Sequence, residues 1–227
     1  MEKETKNRAG MIADPAGIEA ESMRLISREL AKMGVSWKGG ELEVVRRVIH
    51  ATADFDFARN MVFSGDAVRA GREALESGND IITDTNMALA GISRPSCERF
   101  HNTVRCFMAD PTIAQMAARE GTTRAWASMG YAAAQHPDAV YVIGNAPTAL
   151  FRLDELIRTT SFAPSLIVAV PVGFVNVEES KRKILETCGA RSIPVIAAMG
   201  RKGGSTVAAG VMNALFYGIP SSGKDCK

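Results

Sequence analysis

The 227-residue chain has few of the residues that build metal centres or disulfide frameworks. It contains three histidines, and its four cysteines show neither a CxxC pair nor zinc-ribbon spacing. The cysteines are Cys97, Cys106, Cys188 and Cys226. We therefore expect no metal site built by the protein, no cofactor held by such a site, and reduced thiols in a cytoplasmic protein.

Long apolar runs and an excess of charge are also absent. The longest apolar stretch, SLIVAVPVGFV, is too short to cross a bilayer and contains proline and glycine. The first ten residues, MEKETKNRAG, are charged and polar, unlike a secretory signal. With 27 basic and 25 acidic residues the formal net charge is +2, which argues against a nucleic-acid partner. Neither a membrane nor a nucleic acid is an expected partner.

Three common catalytic or nucleotide-binding motifs are missing. The segment GRKGGST, residues 200–206, resembles a phosphate loop loosely but lacks the GxxxxGK[ST] spacing. No GxGxxG follows the first predicted strand, and no serine is flanked by glycines as in a hydrolase elbow. A nucleoside triphosphatase, a dinucleotide-dependent enzyme and a serine hydrolase are therefore not predicted, and no cofactor is expected.

The chain does contain short runs of valine, isoleucine and alanine that alternate with helical patterns. Strands that are apolar throughout and each followed by a helix predict an α/β protein with a parallel sheet covered on both faces. We expect one domain over residues 1–227, with flexible tails at 1–12 and 219–227. The five predicted strands are residues 80–84, 103–108, 139–144, 165–170 and 194–199.

An N-terminal helical extension precedes these strands. The first predicted helix has Asp14 as its cap, Pro15 in its first turn and Gly34 at its end. The second covers residues 41–53, and the third starts at Ser64 or Asp66 and ends near residue 78.

Four segments that follow predicted strands are rich in glycine and hydroxyl groups: residues 83–86, 144–148, 171–176 and 200–206. Ligands of an open α/β sheet bind beyond the carboxyl ends of the strands. Glycines let a ligand approach the backbone, and helix N-termini favour anions. We therefore predict one wide pocket for a ligand with several anionic groups. Its candidate residues are Thr85, Gly144, Asn145, Gly173, Arg201, Gly203, Gly204 and Ser205, with Lys202 as a second cation.

The segment VIHATADFDFARN, residues 48–60, places His50 in the second predicted helix. A lone helical histidine is by default a packed or surface residue, yet its ordinary pKa near ~6.5 suits it to proton transfer. Asp54 and Asp56 are interpreted as caps or salt-bridge partners. His101, in a predicted loop, and His136, at a predicted helix end, have weaker settings. The pattern alone leaves both interpretations of His50 open.

Four strings in the chain are long and unusual: VIHATAD followed by VFS, YVIGNAPTALF, PVGFVNVEESK and GRKGGST. In this order, between about residues 14 and 218, they resemble the precorrin-8X (or cobalt-precorrin-8) methylmutase family of cobalamin biosynthesis. The resemblance implies a flavodoxin-like three-layer fold with a mainly parallel five-stranded sheet, and a homodimer. It also implies an isomerase that moves a methyl group from C11 to C12 of a corrinoid ring.

The resemblance further places the family's catalytic histidine on His50, and two pocket residues on Ser22 and Arg124. Its substrate is precorrin-8X or cobalt-precorrin-8, whose ring carries many carboxylates. Its product is hydrogenobyrinate, or cobyrinate when cobalt is present. A non-catalytic corrinoid carrier of the same fold, and a flavodoxin-like FMN or nucleotide binder, also use anion-accepting loops after strands. These remain alternatives.

Overall fold

A computed structural model describes residues 14–220, so the predicted tail at 1–12 and residues 221–227 of the other tail lie outside the described residues. Ile219, where that second tail was predicted to begin, is buried in the core. The elements are α1 Pro15–Lys32, α2 Gly39–Thr52, α3 Phe57–Asn60, β1 Met61–Ser64, α4 Ala67–Glu76, β2 Ile81–Thr83, α5 Asn86–Gly91, α6 Arg94–Phe100, β3 Val104–Arg105, α7 Pro111–Glu120, α8 Arg124–Gln135, β4 Val140–Ile143, α9 Pro147–Thr159, β5 Leu166–Ala169, α10 Val177–Ala190, β6 Val195–Ala198 and α11 Ser205–Tyr217.

The strands lie in the order β1-β6-β5-β4-β2-β3. From β2 to β6 every neighbouring pair is parallel. Among these five strands the second in the chain lies outside the first, and the third to fifth follow on the other side, which is the flavodoxin-like order. The predicted α/β class and parallel sheet are therefore confirmed.

The sheet has six strands rather than the predicted five, because β1 pairs antiparallel with β6, from Met61 opposite Ala198 to Ser64 opposite Val195. Sequence reasoning missed β1 because it is a four-residue edge strand in which Met61 alone is buried. Ser64 ends this strand, so α4 begins only at Ala67. The predicted strand at 103–108 is reduced to two paired residues.

The predicted start of the first helix is confirmed by its cap. The carboxylate of Asp14 accepts a hydrogen bond from the backbone N–H of Gly17 at 2.8 Å, and proline follows at the first helical position. The second helix begins two residues before the predicted Glu41 and ends at Thr52, because Ala53 adopts the left-handed conformation with φ of 54°.

Two apolar layers cover the sheet. Alternate strand residues point to opposite faces, so Val140 and Val142 pack in one layer and Tyr141 and Ile143 in the other. The first layer contains α1, α2, α4, α5 and α11, and the second contains α8, α9 and α10. Helix α11 is apolar on nearly all sides because it is enclosed between the sheet and α2. None of the helices between residues 14 and 220 is long and apolar enough to span a lipid bilayer.

Candidate active site

The carboxyl ends of β2, β4, β5 and β6 lie at one edge of the sheet, because these strands are parallel neighbours. Direct contacts join the loops that follow them. The hydroxyl oxygens of Thr85, after β2, and Ser205, after β6, lie 2.7 Å apart. The backbone N–H of Gly204 donates to the carbonyl of Val170, after β5, at 2.8 Å. The predicted loops therefore form one continuous surface.

Gly144, directly after β4, lies immediately beneath the first turn of α11. A Cβ atom added there would lie 3.0 Å from Cα and 3.1 Å from the backbone nitrogen of Ser205. Such contacts are tight, so a side chain at residue 144 would push the first turn of α11 away from the strand end. This positions Ser205 beside Thr85, whose hydroxyl also accepts from the N–H of Ala88 at 3.0 Å and caps α5.

Asp84 is a buried carboxylate that organises the loop after β4. Only 1% exposed, it accepts hydrogen bonds from the backbone N–H groups of Gly144, Asn145 and Ala146 at 2.7–2.8 Å. Burial raises the pKa of Asp84, and the three N–H donors oppose that rise. These three N–H groups are therefore occupied by the carboxylate of Asp84. The side chain of Asn145 remains exposed.

The loop after β6 depends on two glycines with different requirements. A Cβ at Gly203 would lie 2.2 Å from the carbonyl oxygen of Val170 and 2.6 Å from that of Pro171, so no side chain fits. Gly204 has φ of 126°, a conformation that L-residues rarely adopt. Helix α11 then begins at Ser205 without a side-chain cap, which leaves the N–H groups of its first turn available to a ligand.

Lys181, on α10, holds this loop from inside the protein. The side chain is 0% exposed, and its ammonium donates hydrogen bonds to the carbonyls of Gly200 at 2.8 Å and Lys202 at 2.9 Å. Burial lowers the pKa of Lys181 to about 8. Sequence reasoning missed this residue, although its spacing from Val177 and Ile184 places it on the buried face of α10.

The two cations of the loop have carboxylate partners. The Lys202 ammonium lies 2.6 Å from Oδ2 of Asp54 and 2.5 Å from Oδ2 of Asp56, which confirms the two aspartates as salt-bridge partners. The Lys202 contact lowers the pKa of Asp54, and the two carboxylates raise the pKa of Lys202. Arg201 pairs with Glu178 at 3.2 Å on the surface.

An exposed apolar segment lies next to Arg201. Phe174 is 83% exposed, and the Arg201 guanidinium lies over its ring at 5.7 Å from the centroid. Val175 is exposed as well. The segment is fixed at Gly173, where φ is 146° and the N–H donates to the carbonyl of Arg201 at 3.1 Å. An apolar surface edged by a cation thus stands at the carboxyl edge of the sheet.

His50 lies in the last turn of α2, which leads directly to this edge. Its side chain is exposed and makes no hydrogen bond or ion pair within residues 14–220. Four residues later Asp54 is held by Lys202, and the carbonyl of Asn60 accepts from the N–H of Met199, just after β6, at 2.7 Å. The end of the helix that carries His50 is therefore tied to the loop after β6.

The other two histidines lie at the opposite edge of the sheet. Nδ1 of His136 is 2.8 Å from Oδ2 of Asp80, the residue before β2. His101 ends α6, and the next residue, Asn102, donates from its side chain to the carbonyl of Asn79 at 2.9 Å, also before β2. Both positions precede the strands, whereas the loops with glycines and hydroxyls follow them.

Arg124 and Ser22 lie on different sides of this edge. Arg124 is the exposed first residue of α8, and its neighbour Thr123 donates to the hydroxyl of Thr148, in the first turn of α9 just beyond the loop after β4, at 2.9 Å. Helix α8 packs on the sheet face opposite α2. Ser22 lies on α1, where its hydroxyl donates to the carbonyl of Ile18 at 2.8 Å. The structure thus brings Arg124 to the loops and Ser22 to a helix that packs against α2.

The fold defines a doubly wound α/β protein, and proteins of this class bind ligands beyond the carboxyl ends of their strands. The profile of the Precorrin-8X methylmutase family matches residues 17–218. The chain belongs to this family and is an isomerase, a methylmutase of cobalamin biosynthesis.

Three relatives illustrate the similarity. Cobalt-precorrin-8 methylmutase of Leptospira interrogans is 41% identical over 203 residues, which cover 88% of this chain and 91% of the relative. Cobalt-precorrin-8 methylmutase of Salmonella typhimurium is 40% identical over 210 residues, 91% of this chain and 96% of the relative. The crystal structure of precorrin-8X methylmutase from Thermus thermophilus superposes with a TM-score of 0.78 at 39% identity, covering 88% of this chain and 96% of that chain.

Proposed function

We propose that this chain moves a methyl group from C11 to C12 of precorrin-8X or cobalt-precorrin-8, with His50 as the proton donor. The observation that carries the proposal is the position of the three histidines. His50 stands at the edge where the loops gather, while His101 and His136 lie beside residues that precede the strands. The His50 imidazole is exposed and has no partner within residues 14–220, so it can meet a ligand there.

The reaction needs a proton but consumes none. The methyl group leaves C11 as its bond to C12 forms, in a [1,5]-sigmatropic shift within the conjugated ring. Protonation of a ring nitrogen or of an adjacent carbon by the imidazolium of His50 draws electron density through the ring, and the proton then returns to His50. Acid catalysis of this kind contributes about 10²–10⁴-fold, and the remaining acceleration comes from holding the ring in one conformation.

The carboxyl edge of the sheet suits a broad ring with carboxylates at its periphery. Phe174 and Val175 provide exposed apolar area for a ring face. Arg124, Arg201 and the free N–H groups at the start of α11 provide donors for carboxylates.

We infer that the substrate contains cobalt. The two curated relatives described above, 41% and 40% identical, are named for cobalt-precorrin-8. Turnover of cobalt-containing and cobalt-free substrates, measured side by side on one preparation, tests this inference. A higher kcat/KM for the cobalt-free ring would overturn it. The family resemblance also implies a homodimer, which light scattering on the purified chain tests.

The visible spectrum tests the proposed activity directly. The methyl shift changes the conjugation of the ring, so catalytic protein converts an excess of substrate and shifts its absorption progressively. A change that stops at one ring per chain would instead show a corrinoid carrier. A yellow protein as purified, with a flavin spectrum and no turnover, would show an FMN binder.

A further inference from the structure

The buried ammonium of Lys181 and the exposed ammonium of Lys202 belong to one continuous set of contacts. Lys181 donates to the carbonyl of Lys202 at 2.9 Å, and the side chain of Lys202 reaches Asp54 at 2.6 Å. The N–H of Asp54 donates to the hydroxyl of Thr52 at 3.3 Å, in the last turn of α2. The contacts thus run from the interior of α10 to the end of the helix that carries His50.

We propose that Lys181 is a positioning residue for the methyl shift: it fixes the loop of residues 200–204 and, through Lys202 and Asp54, the end of the helix that carries His50. The inference rests on the proposed function, since it assigns to Lys181 the geometry of that same site.

The orientation of the peptide groups explains what Lys181 does for ligand binding. In a trans peptide the N–H points opposite to the preceding carbonyl. The carbonyls of Gly200 and Lys202 point inward to the ammonium, so the N–H groups of Arg201 and Gly203 point away from α10. Neither N–H has a backbone or side-chain acceptor within residues 14–220. Lys181 therefore keeps two donors directed out of the loop.

The environment of Lys181 indicates that its charge serves more than stability. The ammonium is fully buried and forms no ion pair with a carboxylate in the described part of the chain. A buried cation without a paired anion is costly compared with an apolar side chain of similar size. The fall of its pKa to about 8 reflects the same desolvation. This cation orders the carbonyl groups of the glycine-rich loop at residues 200–204.

Lys181→Met removes the two hydrogen bonds while keeping an unbranched side chain. Lys183→Met is the matched control on the same helix, because Lys183 pairs with Glu179 at 3.0 Å and does not touch the loop. We expect kcat/KM of Lys181→Met to fall about 100-fold, through both a higher KM and a lower kcat, as a displacement of about 1 Å produces. The control should stay within about twofold of the wild type.

A purely structural Lys181 would give a different result. The thermal midpoint of Lys181→Met would then fall while kcat and KM, measured well below that midpoint, matched the wild type, and this outcome overturns the proposal. Wild-type turnover is measured first on the same substrate. Its absence would refute the proposed activity, whereas normal wild-type turnover with unchanged kinetics of Lys181→Met would refute only the role of Lys181.

Lys202→Met provides a second test that does not disturb the core, since Lys202 is exposed. Loss of its contacts with Asp54 and Asp56 should lower kcat about tenfold, because the end of α2 is released. An unchanged kcat overturns the link to His50 even if Lys181→Met fails to fold. In the Lys181→Met/Lys202→Met double variant, the fold-decrease in kcat should be smaller than the product of the two single decreases, because both residues act through one loop. Independent, multiplicative effects would contradict the proposal.

Discussion

Oδ1 of Asp84 accepts a hydrogen bond from the backbone N–H of Gly144 at 2.8 Å, which ties together the ends of two neighbouring strands. Oδ2 of the same carboxylate accepts from Asn145 and Ala146. The loop after β4 is therefore built around a buried carboxylate.

Asp84→Asn should destabilise the protein and distort this loop. The amide keeps one acceptor oxygen and turns its NH₂ group toward backbone donors, so at least one charge-assisted hydrogen bond is lost without replacement. We expect the free energy of unfolding to fall by about 2–4 kcal/mol, measured by urea denaturation. Asp138→Asn, at an exposed position, is the control and should change it by less than about 0.5 kcal/mol. Equal stability of the two variants would contradict the role of Asp84.

His50→Ala should fold and bind the corrinoid substrate but convert it slowly. The side chain is exposed, so its removal leaves the core intact. We expect kcat to fall about 10²–10⁴-fold, the usual contribution of a general acid, in single-turnover spectra. His101→Asn is the control, because asparagine tolerates the left-handed backbone of residue 101 and that residue lies at the other edge of the sheet. Near-normal turnover by His50→Ala would rule out His50 as the proton donor.

Arg124→Ala should weaken binding more than chemistry. Its guanidinium lies at the start of α8 without a protein partner in residues 14–220, and a lost hydrogen bond between two charged groups costs about 1.5–3 kcal/mol. The Kd for substrate, measured by absorption titration, should rise about 10–100-fold while kcat changes little. Arg119→Ala, at an exposed position at the end of α7, is the control and should leave the Kd for substrate unchanged. An unchanged Kd for Arg124→Ala would remove this residue from the site.

The stability difference between the wild type and Lys181→Met should depend on pH. The lysine pKa of 10.5 in the unfolded chain falls to about 8 on burial, so between these values the unfolded chain holds more protons than the folded one. The wild type should therefore gain stability relative to the variant as the pH rises from 8 to 10.5, by up to about 3 kcal/mol, and show no such change below pH 8. Denaturant unfolding of both proteins at pH 7, 8, 9 and 10 measures this difference in the free energy of unfolding. A difference that stays constant would show that Lys181 keeps an ordinary pKa.

The sequence predicted those parts of the fold that depend on local apolar pattern. The continuous runs at 139–144, 165–170 and 194–199 became central strands, because strands buried on both faces need apolar residues at every position. Strand β1 was missed for the opposite reason: it lies at an edge, is half exposed and has only four residues. Its assignment depends on a partner more than 130 residues away in the chain.

The gathering of the four loops at one edge was predicted, but the contacts that build them were predicted only in part. The loops could be located because parallel strands bring their carboxyl ends to one edge. Asp84 and Lys181 could not be assigned from pattern, because a charged residue is buried only where distant backbone groups satisfy it. For Asp84 those groups are the N–H groups 60–62 positions later in the chain. For Lys181 they are the carbonyls 19 and 21 positions later.

The short outer strands of the sheet have a consequence for association between copies of the chain. An exposed strand offers unpaired N–H and C=O groups on which another polypeptide can add as a further strand, which is a route to aggregation. Here β1 covers β6, and the two outermost strands have only four and two residues. A second copy therefore finds little backbone to extend the sheet. Any regular dimer is expected to meet through side chains of helices and loops.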